Sequence, residues 1–217
     1  KDFSNKQIVW VLDKKKNHKE LIRKFKKKYS NVSFVERGTL AYYKYLATAK
    51  YLINDVTFSF EYIKKESQVY INTWHSITVK TLGYDIPGNP LNAKNVIRNF
   101  FATDYFLSPN DFMGKEIFGE SHKMNNIYPG TVIQEGFPRD DLTYLYTRNE
   151  VISIMKDAGV SVDENKKIII YAPTWRGDKL GKPSDDINEY NRLLEEITKN
   201  IDNKKYQVLL RVHQLVY

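Results

Sequence analysis

The chain has 217 residues, 41% hydrophobic and 28% charged, an ordinary globular balance with length for one large domain or two small ones. It contains no cysteine, which excludes a disulfide scaffold and a thiolate metal site and favours a reducing compartment. No apolar run approaches the roughly 20 residues of a membrane-spanning helix, and no secretory leader pattern opens the chain. The net charge of +8, from 34 Lys and Arg against 26 Asp and Glu, points to an anionic partner: nucleic acid, an acidic lipid surface or a phosphorylated substrate. The chain starts at Lys1 without an initiator Met and reads as a fragment or a processed product.

In chain order, Ile8 to Leu12 is an apolar run of strand type. Asn17 with Glu20 three residues later has the spacing of a capping box, and Leu21, Ile22, Phe25 and Tyr29 follow at helical spacing. Between Lys14 and Lys28 stand nine Lys and Arg against one Glu, the face of a solvated helix or of one lying on a negative membrane surface. Val32 to Val35 predicts a second strand, Thr39 to Ala49 a helix, Tyr51 to Ile53 a third strand and Val69 to Asn72 a fourth. Gly83, Pro87, Gly88 and Pro90 mark a loop. Val96 to Ala102 predicts a helix and Tyr105 to Leu107 a strand, after which Ser108 as cap and Pro109 at the first helical position start another helix. Thr131 to Ile133 is a strand leading into Gly136-Phe-Pro-Arg-Asp140. Tyr144 to Ala158 predicts one or two helices stopped by Gly159, Lys167 to Tyr171 a strand, Ile187 to Ile201 a helix and Tyr206 to Val212 the last strand. Alternating strands and helices argue for α/β architecture with a parallel, doubly wound sheet. A boundary falls between residues 145 and 165, dividing the chain into domains 1–150 and 151–217, the second left incomplete.

The stretch Val69-Tyr-Ile-Asn-Thr-Trp-His-Ser76 places His75 just past the carboxyl end of a strand, where open α/β sheets hold ligand-binding groups. Imidazole suits proton transfer near neutrality. Trp74 can wall such a site, and a satisfied loop histidine is the plainer reading of an isolated one. His213 stands in the same relation to the strand ending Arg211-Val212. On a continuing strand residues 211 and 213 share a face, so Arg211 and His213 suit an anion such as phosphate. The two histidines are expected to face one another across a cleft. Thr174 and Arg176 follow the strand Ile168 to Tyr171 and suit phosphate as well, while Arg139 beside Asp140 is also what a structural ion pair looks like. His18, among lysines, and His122, in a polar stretch, carry no assigned role. There is no Walker A sequence, G-x-G-x-x-G, nucleophile elbow or H-E-x-x-H, no metal-ligand pattern, and no DNA- or RNA-binding signature, so nucleic acid is set aside as a partner.

Four ordered motifs carry a resemblance. Tyr70-Ile-Asn-Thr-Trp-His-Ser-Ile-Thr-Val-Lys-Thr-Leu-Gly83 resembles the tWHGtplKxLG motif of the CDP-glycerol glycerophosphotransferase family, the teichoic acid primases and polymerases. Gly136 to Asp140 resembles GxPRND, Ile170-Tyr-Ala-Pro-Thr-Trp-Arg176 resembles lYAPTWR, and Leu210-Arg-Val-His213 resembles lRxHP. Two positions depart from the pattern: Ser76 replaces the glycine after the first histidine, and Gln214 replaces the proline after the second. The resemblance implies a GT-B architecture of two Rossmann-like domains, acceptor-side and donor-side, with the active site between them. It implies attack by an acceptor hydroxyl on the β-phosphate of CDP-glycerol or CDP-ribitol as donor substrate, releasing CMP; no cofactor is assigned. In that frame His75 is the general base and His213 steadies or protonates the leaving CMP. Ser76, Lys80, Arg139, Thr174, Arg176 and Arg211 are candidates to contact phosphate. The implied partners are a lipid-linked teichoic acid precursor and the anionic cytoplasmic face of a membrane. A nucleotide-sugar glycosyltransferase of the same fold and a non-catalytic module for anionic polymer or lipid are the alternatives.

Overall fold

The computed structural model describes residues 3–78, 81–88, 90–174 and 187–213. The chain divides into two compact units, Lys1–Leu142 and Thr143–Tyr217.

The first unit begins with β1 (Ile8–Leu12) and β2 (Val32–Glu36), which pair in parallel from Ile8 opposite Val32 to Leu12 opposite Glu36. Between them α1 (Lys19–Lys28) is amphipathic but shallow: none of its residues is fully buried. Phe25 meets Trp10 edge-on at 5.0 Å and Phe34 at 6.4 Å, while the lysines face solvent. The expected capping box is not formed. Asn17 lies in a 3-10 turn, Lys15–His18, with its N–H bonded to the Lys14 carbonyl, and His18 takes the cap position without a side-chain bond. Glu20 pairs with Lys24 at 3.0 Å instead. After β2, Thr39 caps α2 (Leu40–Thr48) by accepting the Tyr42 N–H.

Four further strands, β3 (Tyr51–Asn54), β4 (Val69–Asn72), β5 (Tyr105–Ser108) and β6 (Thr131–Gln134), form one parallel sheet in the order β3-β4-β5-β6. Within this sheet the order follows the chain without reversal. The pair β1-β2 forms a sheet of its own. Strand and helix periods are local properties, whereas the grouping of strands into sheets is decided by distant partners.

Two apolar clusters hold the unit. Val35, Tyr42, Leu46, Leu52, Phe58 and Tyr70 form one, with Val9 and Val11 against it, which ties the first strand pair to the larger sheet. Trp74, Phe100, Phe106, Met113, Phe118 and Phe137 belong to the other. Here Phe100 meets Phe106 at 4.6 Å and Trp74 at 5.2 Å, both edge-to-face, an arrangement that contributes about 0.5–1.5 kcal/mol per pair beyond area burial. Phe100 sits on α3 (Lys94–Phe101).

The helix after β5 also departs from expectation. Asn110, not Ser108, caps it by accepting the Met113 N–H at 2.9 Å, and Met113–Ser121 is a π-helix. Its wide turn puts Met113, Ile117, Phe118 and His122, spaced by four and five, toward the core.

The short helix α4 (Leu142–Leu145) begins on the last residue of the first unit, and α5 (Arg148–Asp157) follows in the second. The capping box absent from α1 is present here: Thr147 and Glu150 bond reciprocally. Gly159, at φ +81°, closes α5 with N–H bonds from Gly159 to Lys156 and from Val160 to Met155, as the sequence predicted. Parallel strands β7 (Lys167–Tyr171) and β8 (Tyr206–Leu210), with α6 (Ile187–Lys199) between them in the chain, form a βαβ unit, and α6 buries Tyr190.

Candidate functional site

In the first unit, chemistry gathers at the carboxyl ends of β3 to β6. Asn54 and Asn72 are the last residues of β3 and β4 and lie opposite each other in register. Each folds its side chain over the chain that follows: Asn54 Oδ1 accepts the Val56 N–H at 3.2 Å, and Asn72 Oδ1 accepts the Trp74 N–H at 2.8 Å. These bonds turn both strand ends. Trp74 adopts φ +51°, a conformation costing an L-residue of order 1–3 kcal/mol. Its burial in the aromatic cluster helps to hold it there.

The turn presents His75, partly buried, with its ring 4.4 Å from that of Trp74. Its Nδ1 lies 2.6 Å from the Asp55 carbonyl. A carbonyl oxygen only accepts, so Nδ1 carries the proton, and in the neutral ring Nε2 is left with the lone pair. This is the arrangement a proton acceptor needs.

Arg139 follows β6, two strands from β4 in the same sheet. Its neighbour Phe137 is 3% exposed and belongs to the cluster that holds Trp74, so one core anchors both motif loops. The Arg139 guanidinium lies 5.3 Å from the Phe137 ring centre and 3.5 Å from Asp140, with both charged side chains about 60% exposed. At that exposure the pair contributes little to stability. Ser76 is partly buried beside His75. Lys80 and Arg176 lie outside the described residues.

Two features of this region escape a reading of residues one at a time. Gly83, ending the first motif, is buried at φ +63°, and a Cβ there would lie 2.2 Å from the Ser121 carbonyl oxygen. The motif's glycine thus lets its loop close against the π-helix, where Ser121 also donates to Asp85. His122, read from sequence as a polar-stretch residue, is 2% exposed beside Phe100, and its Nδ1 bonds the Ile117 carbonyl at 2.7 Å. Burial pushes its pKa down, against the opposing pull of that bond and of Asp85. Burial likewise pushes the Tyr70 phenol up to about 12, keeping it a neutral hydroxyl next to Asn72.

In the second unit Thr174 follows β7, and Arg211 and His213 follow β8, the adjacent parallel strand. The expected continuation of β8 through residue 212 is not found. The strand ends at Leu210, opposite Tyr171, and the Arg211 N–H bonds the Tyr171 carbonyl at 2.9 Å. Burial still alternates beyond it, with Arg211 exposed, Val212 buried and His213 intermediate. The Tyr190 hydroxyl donates to the Thr174 carbonyl at 3.2 Å, seating the third residue after β7 on α6.

Residues 1–217 match the sequence profile of the CDP-Glycerol:Poly(glycerophosphate) glycerophosphotransferase family. The chain is 31% identical over 227 residues to a teichoic acid poly(glycerol phosphate) polymerase of Bacillus spizizenii, covering 100% of this chain and 53% of that protein. It is 27% identical over 224 residues to a teichoic acid glycerol-phosphate transferase of Staphylococcus aureus, covering 99% of this chain and 54% of that one. The chain thus spans about half the length of these curated relatives. Among solved structures, a histidine variant of the wall teichoic acid polymerase TagF superposes with a TM-score of 0.70 at 26% identity, over 100% of this chain and 51% of that one. A second TagF histidine variant gives 0.66 at 25% identity, over 97% and 57%. With the profile matched from end to end and the strand-end histidine motifs in order, the chain belongs to the CDP-glycerol:poly(glycerophosphate) glycerophosphotransferase family.

Proposed function

We propose that the protein transfers an alditol phosphate, glycerol phosphate or ribitol phosphate, from its CDP-activated form to a hydroxyl of a lipid-linked teichoic acid acceptor. The observation that carries this reading is the His75 Nδ1–H bond to the Asp55 carbonyl, which leaves Nε2 as the basic nitrogen of a histidine at a strand end. Nε2 takes the proton of the acceptor hydroxyl as its oxygen attacks the β-phosphorus. The new oxygen–phosphorus bond replaces the bond to the bridging oxygen, and CMP leaves with that electron pair. His213 steadies or protonates the departing phosphate. Ser76, Lys80, Arg139, Thr174, Arg176 and Arg211 spread the charge of the transferring group, the kind of work that dominates phosphoryl transfer. The chain contributes to a GT-B type architecture, with the first unit in a Rossmann-like acceptor-side domain and the second in a donor-side one. The donor named in the family's description supports CDP-glycerol. The basic exposed face of α1 supports peripheral attachment at the cytoplasmic surface of an anionic membrane. No helix among the described residues is long and apolar enough to cross one.

The test is CMP release from CDP-glycerol and CDP-ribitol by the full-length protein. His75→Ala and His213→Ala should each lower turnover by about 100-fold or more. Unchanged turnover in His75→Ala would overturn the role given to that residue.

A further inference from the structure

Asn72 is fully buried, at 0% exposure, yet its side-chain amide is engaged on both sides. Oδ1 accepts the Trp74 N–H at 2.8 Å. Nδ2 donates to the Val56 carbonyl at 2.9 Å and to the Tyr70 hydroxyl at 3.1 Å. Trp74 immediately precedes His75 and Val56 immediately follows Asp55. One amide therefore grips the chain next to each partner of the His75 Nδ1–Asp55 bond.

We propose that Asn72 is a positioning residue that holds His75 in its Nδ1–H tautomer and so presents Nε2 as the proton acceptor. The proposal rests on reading His75 as the base. Other contacts fix the two loops farther from the histidine. Asn99, 0% exposed, accepts the Phe58 N–H and donates to the Phe58 carbonyl, which pins the loop after β3 to α3 three residues beyond Asp55. The Thr73 N–H to Asn54 carbonyl bond joins the strand ends just before the turn. Between those anchors, the Asn72 amide links the His75 turn to the Asp55 loop, beside the His75 Nδ1 bond itself. Without it the Asp55 carbonyl is free to move beyond hydrogen-bond reach of Nδ1. An imidazole released from such a partner favours the Nε2–H tautomer, which offers a donor where the reaction needs an acceptor. The strained φ of Trp74 sharpens the demand, because the Trp74 N–H needs a partner to keep that conformation.

The test uses the full-length protein labelled with 15N-histidine. Long-range 1H–15N spectra are recorded above neutrality, and His75 is assigned by the signals lost in His75→Ala. The wild type should show a protonated Nδ1 and an unprotonated Nε2. Asn72→Asp keeps the shape but loses the donor to Val56. Asn72→Ser keeps a hydroxyl able to accept from Trp74 but cannot span to Val56, and it decides the matter where Asn72→Asp fails to fold. Both should shift His75 toward Nε2–H. Turnover should fall roughly 10- to 100-fold with KM for the donor little changed, the range known for partners that orient metal-bound histidines. Tyr70→Phe, which leaves both backbone grips in place, should keep the wild-type tautomer. A wild-type His75 protonated on Nε2, or a folded Asn72→Ser with its tautomer unchanged, would overturn the proposal. A tautomer that shifts as expected in a protein whose wild type releases no CMP would leave the role of Asn72 standing and remove the catalytic reading instead.

Discussion

Gly83 shows how one residue type can be required by its surroundings twice over. Its φ of +63° disfavours any side chain, and the space a Cβ would take is held by the Ser121 backbone, which cannot swing aside as a side chain tip could. Gly83→Ala should therefore destabilise the protein by roughly 2 kcal/mol or more, read as a lower thermal midpoint with the chain at Gly83 displaced from Ser121. A midpoint equal to wild type would show that the loop adapts. His122, whose ring lies 3.2 Å from that same Cβ position, gives a pH signature. Burial lowers its folded-state pKa, so the unfolded chain binds the proton more tightly. Its stabilising contribution is complete above the ordinary histidine value of about 6.5 and is lost as pH falls through the lowered folded value. Between pH 7 and 5 denaturant stability should drop more steeply in wild type than in His122→Asn, by at most about 1.4 kcal/mol per pH unit. Parallel profiles would refute this. The sequence marks His75 because a histidine after a short apolar run stands out. It does not mark Asn72, which reads as the last residue of a strand and takes its meaning from Val56, sixteen positions earlier.

At the scale of elements, the strands are legible because each is a short apolar run, and the helices because their apolar spacing is regular. Caps are less so. Asn17 and Glu20 have the spacing of a box, but a 3-10 turn carries the chain past Asn17 before α1 begins, whereas Thr147 and Glu150 meet no such competitor. The π-helix is illegible to a reading that assumes 3.6 residues per turn. The basic face of α1 is plain in sequence, and the fold shows what lies under it: Leu21, Ile22 and Phe25 are only partly buried. Replacing Lys16, Lys19, Lys26 and Lys27 by Gln should weaken binding to phosphatidylglycerol vesicles by about 1 kcal/mol per lysine, and raising salt should weaken the wild type in the same direction. Undiminished vesicle binding by the substituted protein would assign attachment to another surface.

Across the whole chain, the alternation of strands and helices reveals the α/β class but not the partition into sheets, because pairing joins residues as far apart as Lys167 and Tyr206. The sequential order of β3 to β6 bears on how the protein is made. Tyr51 pairs with Val69, Ile71 with Tyr105, and Tyr105 with Thr131, so each strand finds a neighbour already emerged from the ribosome. Here the open edge simply moves forward as the chain lengthens, and each step closes a loop of modest entropic cost. The sequential order therefore sets β4 beside the strand that leads into Asp55 before β5 and β6 have emerged, while the aromatic cluster that holds Trp74 is completed only by later residues.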